Sequence, residues 1–320
     1  MKKTGLFLLL ALAIAAHAQQ SDATPAEPST PQGTVFTSVS FPTERVQTPT
    51  NADLYCAGFV SKQLMPNANF VAGGLQTPNT TKFVTGDMVY LAGSGYQAGQ
   101  QYTILRELRD PNKYELFTGQ HTMIKAMGQP YAELGRVRVV DVRSKTAVAQ
   151  LEFTCDPVNP GDIAVPFATK ASVPYREAVR FDRFAPSNGK LSGRIVLAKD
   201  FDSEIGTGNK VYMNVGASQG VKVGDYFRAM RPYESDLQDP VDSLSFKAST
   251  AEDTQKEPPS IEPKLLTRTK GAVIHVADLP RRALGEIVIL STTETTSTGM
   301  VVFALEDIHV GDNVEMDQQQ

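Results

Sequence analysis

The 320-residue sequence contains no tryptophan. Many sugar-binding clefts stack a sugar ring on that side chain, so the composition weighs against a lectin. Basic runs are also missing, which leaves nucleic-acid binding without its electrostatic footprint and anionic lipid without a polybasic patch. Past residue 18 no apolar run approaches the roughly 20 residues of a spanning helix, so no transmembrane segment is expected in the mature chain. Histidine is scarce. His121, His275 and His309 are scattered and make no ligand spacing with the two cysteines, so no metal and no cofactor is expected.

What is present begins with an address. Lys2 and Lys3 precede the apolar stretch GLFLLLALAIAA, and Ala16-His17-Ala18 places small residues at a cleavage position. This pattern predicts a secretory signal peptide over residues 1–18, removed near Ala18. No cysteine follows it to carry a lipid anchor, so the mature chain is expected in the periplasm or secreted. Removing Lys2 and Lys3 from the 31 basic side chains leaves 29 against 35 acidic ones. In an oxidising compartment the two cysteines, Cys56 and Cys155, are expected to form one disulfide. A free catalytic thiol would need a histidine partner and a lowered pKa, and nothing near either cysteine supplies them.

Residues 19–50 open with QQSDATPAEPSTPQG, too polar and proline-rich to bury a core, and read as a disordered or extended tether. Its end, Val35 to Thr50, gains apolar residues and is expected along the first module. From Leu54 short apolar runs alternate with turn residues, the mark of strands. FVAGG from Phe70, MVYLAG from Met88 and QYTILREL from Gln101 are candidate strands. In GRVRVVDV, Val137 and Val139 alternate with Arg136 and Arg138. The turn RSKT follows, and Ala147, Ala149, Leu151 and Phe153 alternate in the next run, which makes a hairpin.

The hairpin recurs. Gly135 stands as far before Gly161 as Gly285 stands before Gly311. Val137, Val139, Leu151 and Phe153 align without a gap on Ile287, Ile289, Val301 and Phe303. Upstream, Val89-Tyr90-Leu91 aligns with Val211-Tyr212-Met213, and Gly99-x-x-Tyr102 with Gly224-x-x-Phe227. The expected fold is mainly β, with two tandem small β-barrel or sandwich-like modules. They span residues 51–170 and 194–316, with a packed connector at 171–193 that holds a short helix near Val173 to Arg180. A solvated loop insertion interrupts the second module at 234–260, and 317–320 is a tail.

Four Gly-Asp pairs stand before strands: Gly86-Asp87, Gly161-Asp162, Gly224-Asp225 and Gly311-Asp312. Glycine accepts a positive φ, and the aspartate caps nearby backbone N–H groups, so these read as structural corners rather than catalytic carboxylates. Gly216-Ala217-Ser218-Gln219-Gly220 fits the G-x-S-x-G elbow of hydrolases, yet GVKVGDYF follows it, a turn into a strand where the elbow needs a helix. Hydrolysis through Ser218 is therefore the third-ranked reading, and no catalytic residue is assigned. Gly93-Ser94-Gly95 lacks the helix of a dinucleotide loop.

The second module carries a resemblance. Its pattern G-x-x-VY-x-N-x-G-x-x-x-GVKVGD-x-F from Gly208 to Phe227, with RRALGEI from Arg281 and I-x-x-GD from Ile308, resembles the C-terminal domain of flagellar assembly protein T. CAGFV from Cys56, FDRFAP from Phe181 and GKLSGRIVLAKDF from Gly189 look like exported bacterial proteins that carry such modules, some beside LysM domains; no LysM repeat is present. The resemblance implies a small β-rich module in a periplasmic structural protein, not an enzyme. The expected function is a non-catalytic cell-envelope scaffold that contacts another envelope protein. The alternative is a binder of peptidoglycan or another envelope glycan.

Overall fold

The computed structural model describes residues 47–75, 80–174, 176, 181–184, 186–232, 261–262, 274–275 and 280–317. The signal peptide, residues 19–46 of the tether and the 234–260 insertion lie outside them. After a five-residue helix, α1 (Asn51–Tyr55), and a short strand, β1 (Phe59–Ser61), the chain forms β2 (Phe70–Gly74), β3 (Met88–Ala92), β4 (Gln101–Glu107), β5 (Gln129–Val142), β6 (Thr146–Thr154) and β7 (Ile163–Pro166). The last six pair in the order β5-β4-β7-β2-β3-β6, and β6 pairs back on β5 to close a barrel. The connection from β4 to β5 carries the helix α2 (Gln120–Met127).

The second half repeats the design with β8 (Ser192–Ala198), β9 (Glu204–Ile205), β10 (Lys210–Met213), β11 (Tyr226–Arg231), the parallel pair β12 (Ile261–Glu262) and β13 (Ile274–His275), β14 (Arg282–Thr292), β15 (Ser297–Ala304), β16 (Ile308–His309) and β17 (Asn313–Met316). Its closed barrel runs β14-β11-β17-β8-β10-β15. That is the cyclic order of the first barrel with β8 standing for β2, β10 for β3, β11 for β4, β14 for β5, β15 for β6 and β17 for β7. The strands of this barrel run from Ser192 to Met316.

Register shows how close the match is. Gly135 pairs with Thr154 and Gly285 with Ala304; Val137 pairs with Leu151 and Ile287 with Val301. Every pair of the first hairpin recurs in the second, and both bulges fall at the same places. The β4–β5 bulge at Ile104/Leu105 recurs at Ala229/Met230. Even the isolated bridge Phe83–Val158 has a counterpart in Ile205–Ile308. The interiors are filled by equivalent side chains: Val89, Tyr102, Leu134, Val137 and Leu151 in one barrel, Val211, Phe227, Leu284, Ile287 and Val301 in the other.

The corners are strand starters. In each of the four Gly-Asp pairs the carboxylate accepts the backbone N–H three residues earlier, at 2.9, 2.6, 2.7 and 2.7 Å from Val84, Asn159, Lys222 and His309. Each glycine has φ between 90° and 109°, where a Cβ is strained. Two further corners of the same form appear among the described residues, so the pairs are not four equivalent units. Gly99-Gln100 occupies the place of Gly224-Asp225, and Gly208-Asn209 the place of Gly86-Asp87. The N–H of Gly99 reaches Val139 and that of Gly224 reaches Ile289; Gly86 and Gly208 reach Leu151 and Val301. The turn needs the glycine and its N–H, and the side chain after it is replaceable.

At the equivalent corners Gly161-Asp162 and Gly311-Asp312 a salt bridge is repeated too. Arg106 forks onto Asp162 at 2.8 and 2.7 Å and donates to the carbonyl of Pro157. Arg231 does the same with Asp312, at 2.9 Å twice, and the carbonyl of Asp307. The first fork leaves its arginine 31% exposed, whereas both partners of the second are at 6% or below.

The barrels are joined by more than the connector. Cys56 and Cys155 form a disulfide with Cα atoms 5.7 Å apart, just beyond the end of β6. It fixes a strap, residues 47–61, whose β1 adds to the first barrel by pairing with the start of β5. The sequence assigns this segment to the first module alone, but it also lies on the second. The Gln47 N–H donates to Val302, and Lys210 reaches Asp53 at 2.6 Å. Thr296 and Thr298 donate to the carbonyls of Val60 and Gly58 at 2.7 and 3.0 Å. Of the expected tether, only residues 47–50 are described, and Gln47 lies on the second barrel. The α2 segment also crosses over: Phe117 and Met127 join the core cluster of the second barrel, and Gln120 donates to the Val196 carbonyl. In the connector, the described residues 171–174 and 176 are not helical, Phe181 packs against Phe303, and Phe184 is exposed.

The two forks predict unequal losses. Arg231→Met strands a buried carboxylate and should cost about 3–5 kcal/mol in urea unfolding. Arg106→Met should cost clearly less, because solvent already reaches its guanidinium. Equal losses would show that burial does not set the strength of these corners.

Candidate functional site

With both interiors filled, the outer surface is where a ligand finds room. A cavity of about 460 Å³ lies on the outside of the first barrel, lined by Asn51, Ala52 and Tyr55 of α1, Thr103 of β4, Gly135 and Arg136 of β5, Glu152 and Phe153 of β6, and Phe167. Each wall has a local cause. Thr50 accepts the N–H of Asp53 while Asp53 caps Thr50, a reciprocal box that starts α1. Lys210 and Leu54 fix the helix against the second barrel, and the disulfide fixes its end. The bulge at Arg136/Val137 leaves Glu152 without a cross-strand partner, so Glu152 and Phe153 both line the outer face.

Aromatic rings and charge share the cavity. Tyr55 and Phe167 meet with centroids 5.6 Å apart, and the Arg136 guanidinium sits 5.0 Å over the Phe167 ring. Glu152 accepts from Gln101 at 2.6 Å and from Arg138 at 2.5 Å. Arg136 lies 3.1 Å from the same carboxylate, but its Nε is not aligned with it and is buried without a hydrogen bond. Two guanidinium groups thus share one carboxylate. Burial raises the Glu152 pKa, but the hydrogen bonds from Arg138 and Gln101 and the charges of both arginines outweigh it and hold the carboxyl below its ordinary value.

The equivalent face of the second barrel is covered. The shared register places Arg228, Glu286, Val302, Phe303 and Asp317 where the first barrel has Thr103, Arg136, Glu152, Phe153 and Phe167. Arg176 of the connector pairs with Glu286 at 3.3 Å and Asp317 at 3.1 Å. Phe181 packs edge-on against Phe303 at 5.2 Å, and Arg228 lies over Phe181. Burial pushes the Glu286 carboxyl up, Arg176 opposes this, and the nearby Asp317 adds to it.

None of the candidate site residues read from the sequence lines the cavity, although Cys56 and Cys155 position its helical wall. The Gly-Asp corners sit at strand starts. Ser218 lies on an exposed single turn of 3-10 helix, Ala217–Gln219, with no α-helix behind it. His121 is on α2 beside Glu115, His309 on β16 and His275 on β13. Among the described residues no group of three or more His, Cys, Asp or Glu side chains is placed to hold a metal ion, and no helix is long and apolar enough to cross a membrane. The cavity residues had a sequence signal: within the repeat, Arg136 aligns with Glu286, Glu152 with Val302, and Phe167 with Asp317.

The lowered Glu152 value has a pH consequence. Its contribution to stability is complete above the ordinary carboxylate value of about 4 and is lost as pH falls through its lower folded value. Urea unfolding should therefore show wild type more stable than Glu152→Gln at neutral pH, with the gap narrowing in strong acid. A gap that does not change with pH would contradict the assignment.

Comparison with known proteins adds no relative: no protein-family model and no curated protein matches the chain.

Proposed function

We propose that this chain is a non-catalytic, exported scaffold of the cell envelope that holds another protein on the outer face of its first barrel. One observation carries the reading. A peptide segment, the connector at Arg176 and Phe181, already covers this face in the second barrel, while the first barrel presents a cavity of about 460 Å³ there. A face that takes connector residues in one copy is suited to take a peptide in the other. Export follows from the signal-peptide pattern of residues 1–18. The resemblance of Gly208 to Asp312 to the C-terminal domain of flagellar assembly protein T, a structural module, points the same way. The exposed setting of Ser218 supports ranking hydrolysis last.

Site-directed crosslinking in the native envelope tests the proposal. A photoreactive residue at Thr103, on the cavity wall, should give a discrete protein adduct, and one at the exposed Lys82, away from that wall, should not. Retention of the chain by purified sacculi, with no protein adduct at Thr103, would replace this reading with the envelope-glycan one. Labelling of Ser218 by a fluorophosphonate, lost in Ser218→Ala, would replace it with an enzyme.

A further inference from the structure

We infer that the cavity of the first barrel takes an extended peptide of a partner protein that carries a carboxylate side chain about one short segment before an aromatic ring. The inference rests on the protein-binding reading above and adds the chemistry of the partner. It comes from comparing two faces of one design. On the second barrel the connector meets its lining at two described residues: two carboxylates, Glu286 and Asp317, meet the guanidinium of Arg176, and a ring, Phe303, meets the ring of Phe181. The first barrel keeps the ring, as Phe153, inverts the charge of Glu286, as Arg136, and has the uncharged Phe167 in place of Asp317. The aromatic requirement therefore persists and the ionic one reverses.

Charge on the first face agrees. Arg136 and Arg138 share Glu152, and the hydrogen bonds of that carboxylate go to Arg138 and Gln101. The Arg136 side chain is 33% exposed, with its guanidinium held over the Phe167 ring. An incoming carboxylate would neutralise the surplus cation and give a planar donor group the partner it is shaped for. Tyr55 and Phe167 add apolar wall for the neighbouring side chains.

The connector supplies the probe. Residues 173–182 read VPYREAVRFD. A dye-labelled peptide of that sequence with Arg176→Glu should bind the full, oxidised chain in a fluorescence anisotropy titration. The unaltered peptide should bind at least about tenfold more weakly, because its arginine meets Arg136. In Arg136→Glu protein the preference should reverse, since that face then matches the second barrel. Should that variant not fold, Arg136→Gln, which keeps the size and removes the charge, should abolish the preference. Equal binding of both peptides to wild type, or a preference unchanged by either variant, overturns the inference. Binding that appears only after residues 19–46 are deleted also overturns it, by making the chain's own segment the occupant. A positive Thr103 crosslink with no peptide preference would leave the scaffold reading in place and reject only this chemistry.

Discussion

Gly58 is wedged between the two barrels. A Cβ there would stand 2.6 Å from the Tyr131 carbonyl of the first barrel and 2.4 Å from the Tyr212 hydroxyl of the second, and φ is +69°. Its N–H donates to Glu133 at 3.1 Å, and its carbonyl accepts from Thr298. Glu133 is buried, and desolvation raises its pKa. Lys170 works against that shift, at 2.6 Å from the carboxylate and 2.8 Å from the Leu54 carbonyl. Each polar group in this junction is thereby answered by a group from another element, which is what makes burying them tolerable. The position of α1, and with it one wall of the cavity, follows from this pinch.

The same constraint explains why two copies of one design have different surfaces. The strap covers the outside of the second hairpin, where Leu54 and Ala57 pack with Val288, Leu290, Met300 and Val302. Strands β14 and β15 are buried on both faces, and their sequences run almost continuously apolar. The first hairpin has solvent outside, so Arg138, Val140 and Gln150 stand exposed at the equivalent places. The second barrel also receives the α2 segment of the first and the connector. It is the covered member of the pair, and the first barrel keeps an uncovered face with a cavity.

Much of the architecture was legible from spacing alone. The ungapped hairpin repeat carried the register and, with it, bulges that the sequence does not mark. The disulfide was legible because the sequence pairs a signal-peptide pattern with an even count of two cysteines. Three things were not. The corners at Gly99 and Gly208 lack the aspartate that drew attention to the others, because glycine and its N–H do the turning. The strap was unreadable because its partners, Thr296 and Thr298, stand near the opposite end of the sequence. The cavity depends on a helix placed by that strap, so Arg136 and Glu152 read only as the wet side of a hairpin. The charge inversion of Arg136 against Glu286 was visible in the alignment, and it acquires meaning only once Arg176 is seen paired with Glu286.

The central claim is that the strap, closing on Gly58, makes the two barrels one cooperative unit. Calorimetric unfolding of Gly58→Ala, with the disulfide intact, tests it most directly. The added methyl cannot fit between Tyr131 and Tyr212 and forces a strained backbone, so the single transition expected of wild type should move to lower temperature and split into two, one for each barrel. A single transition at the wild-type temperature would contradict the claim.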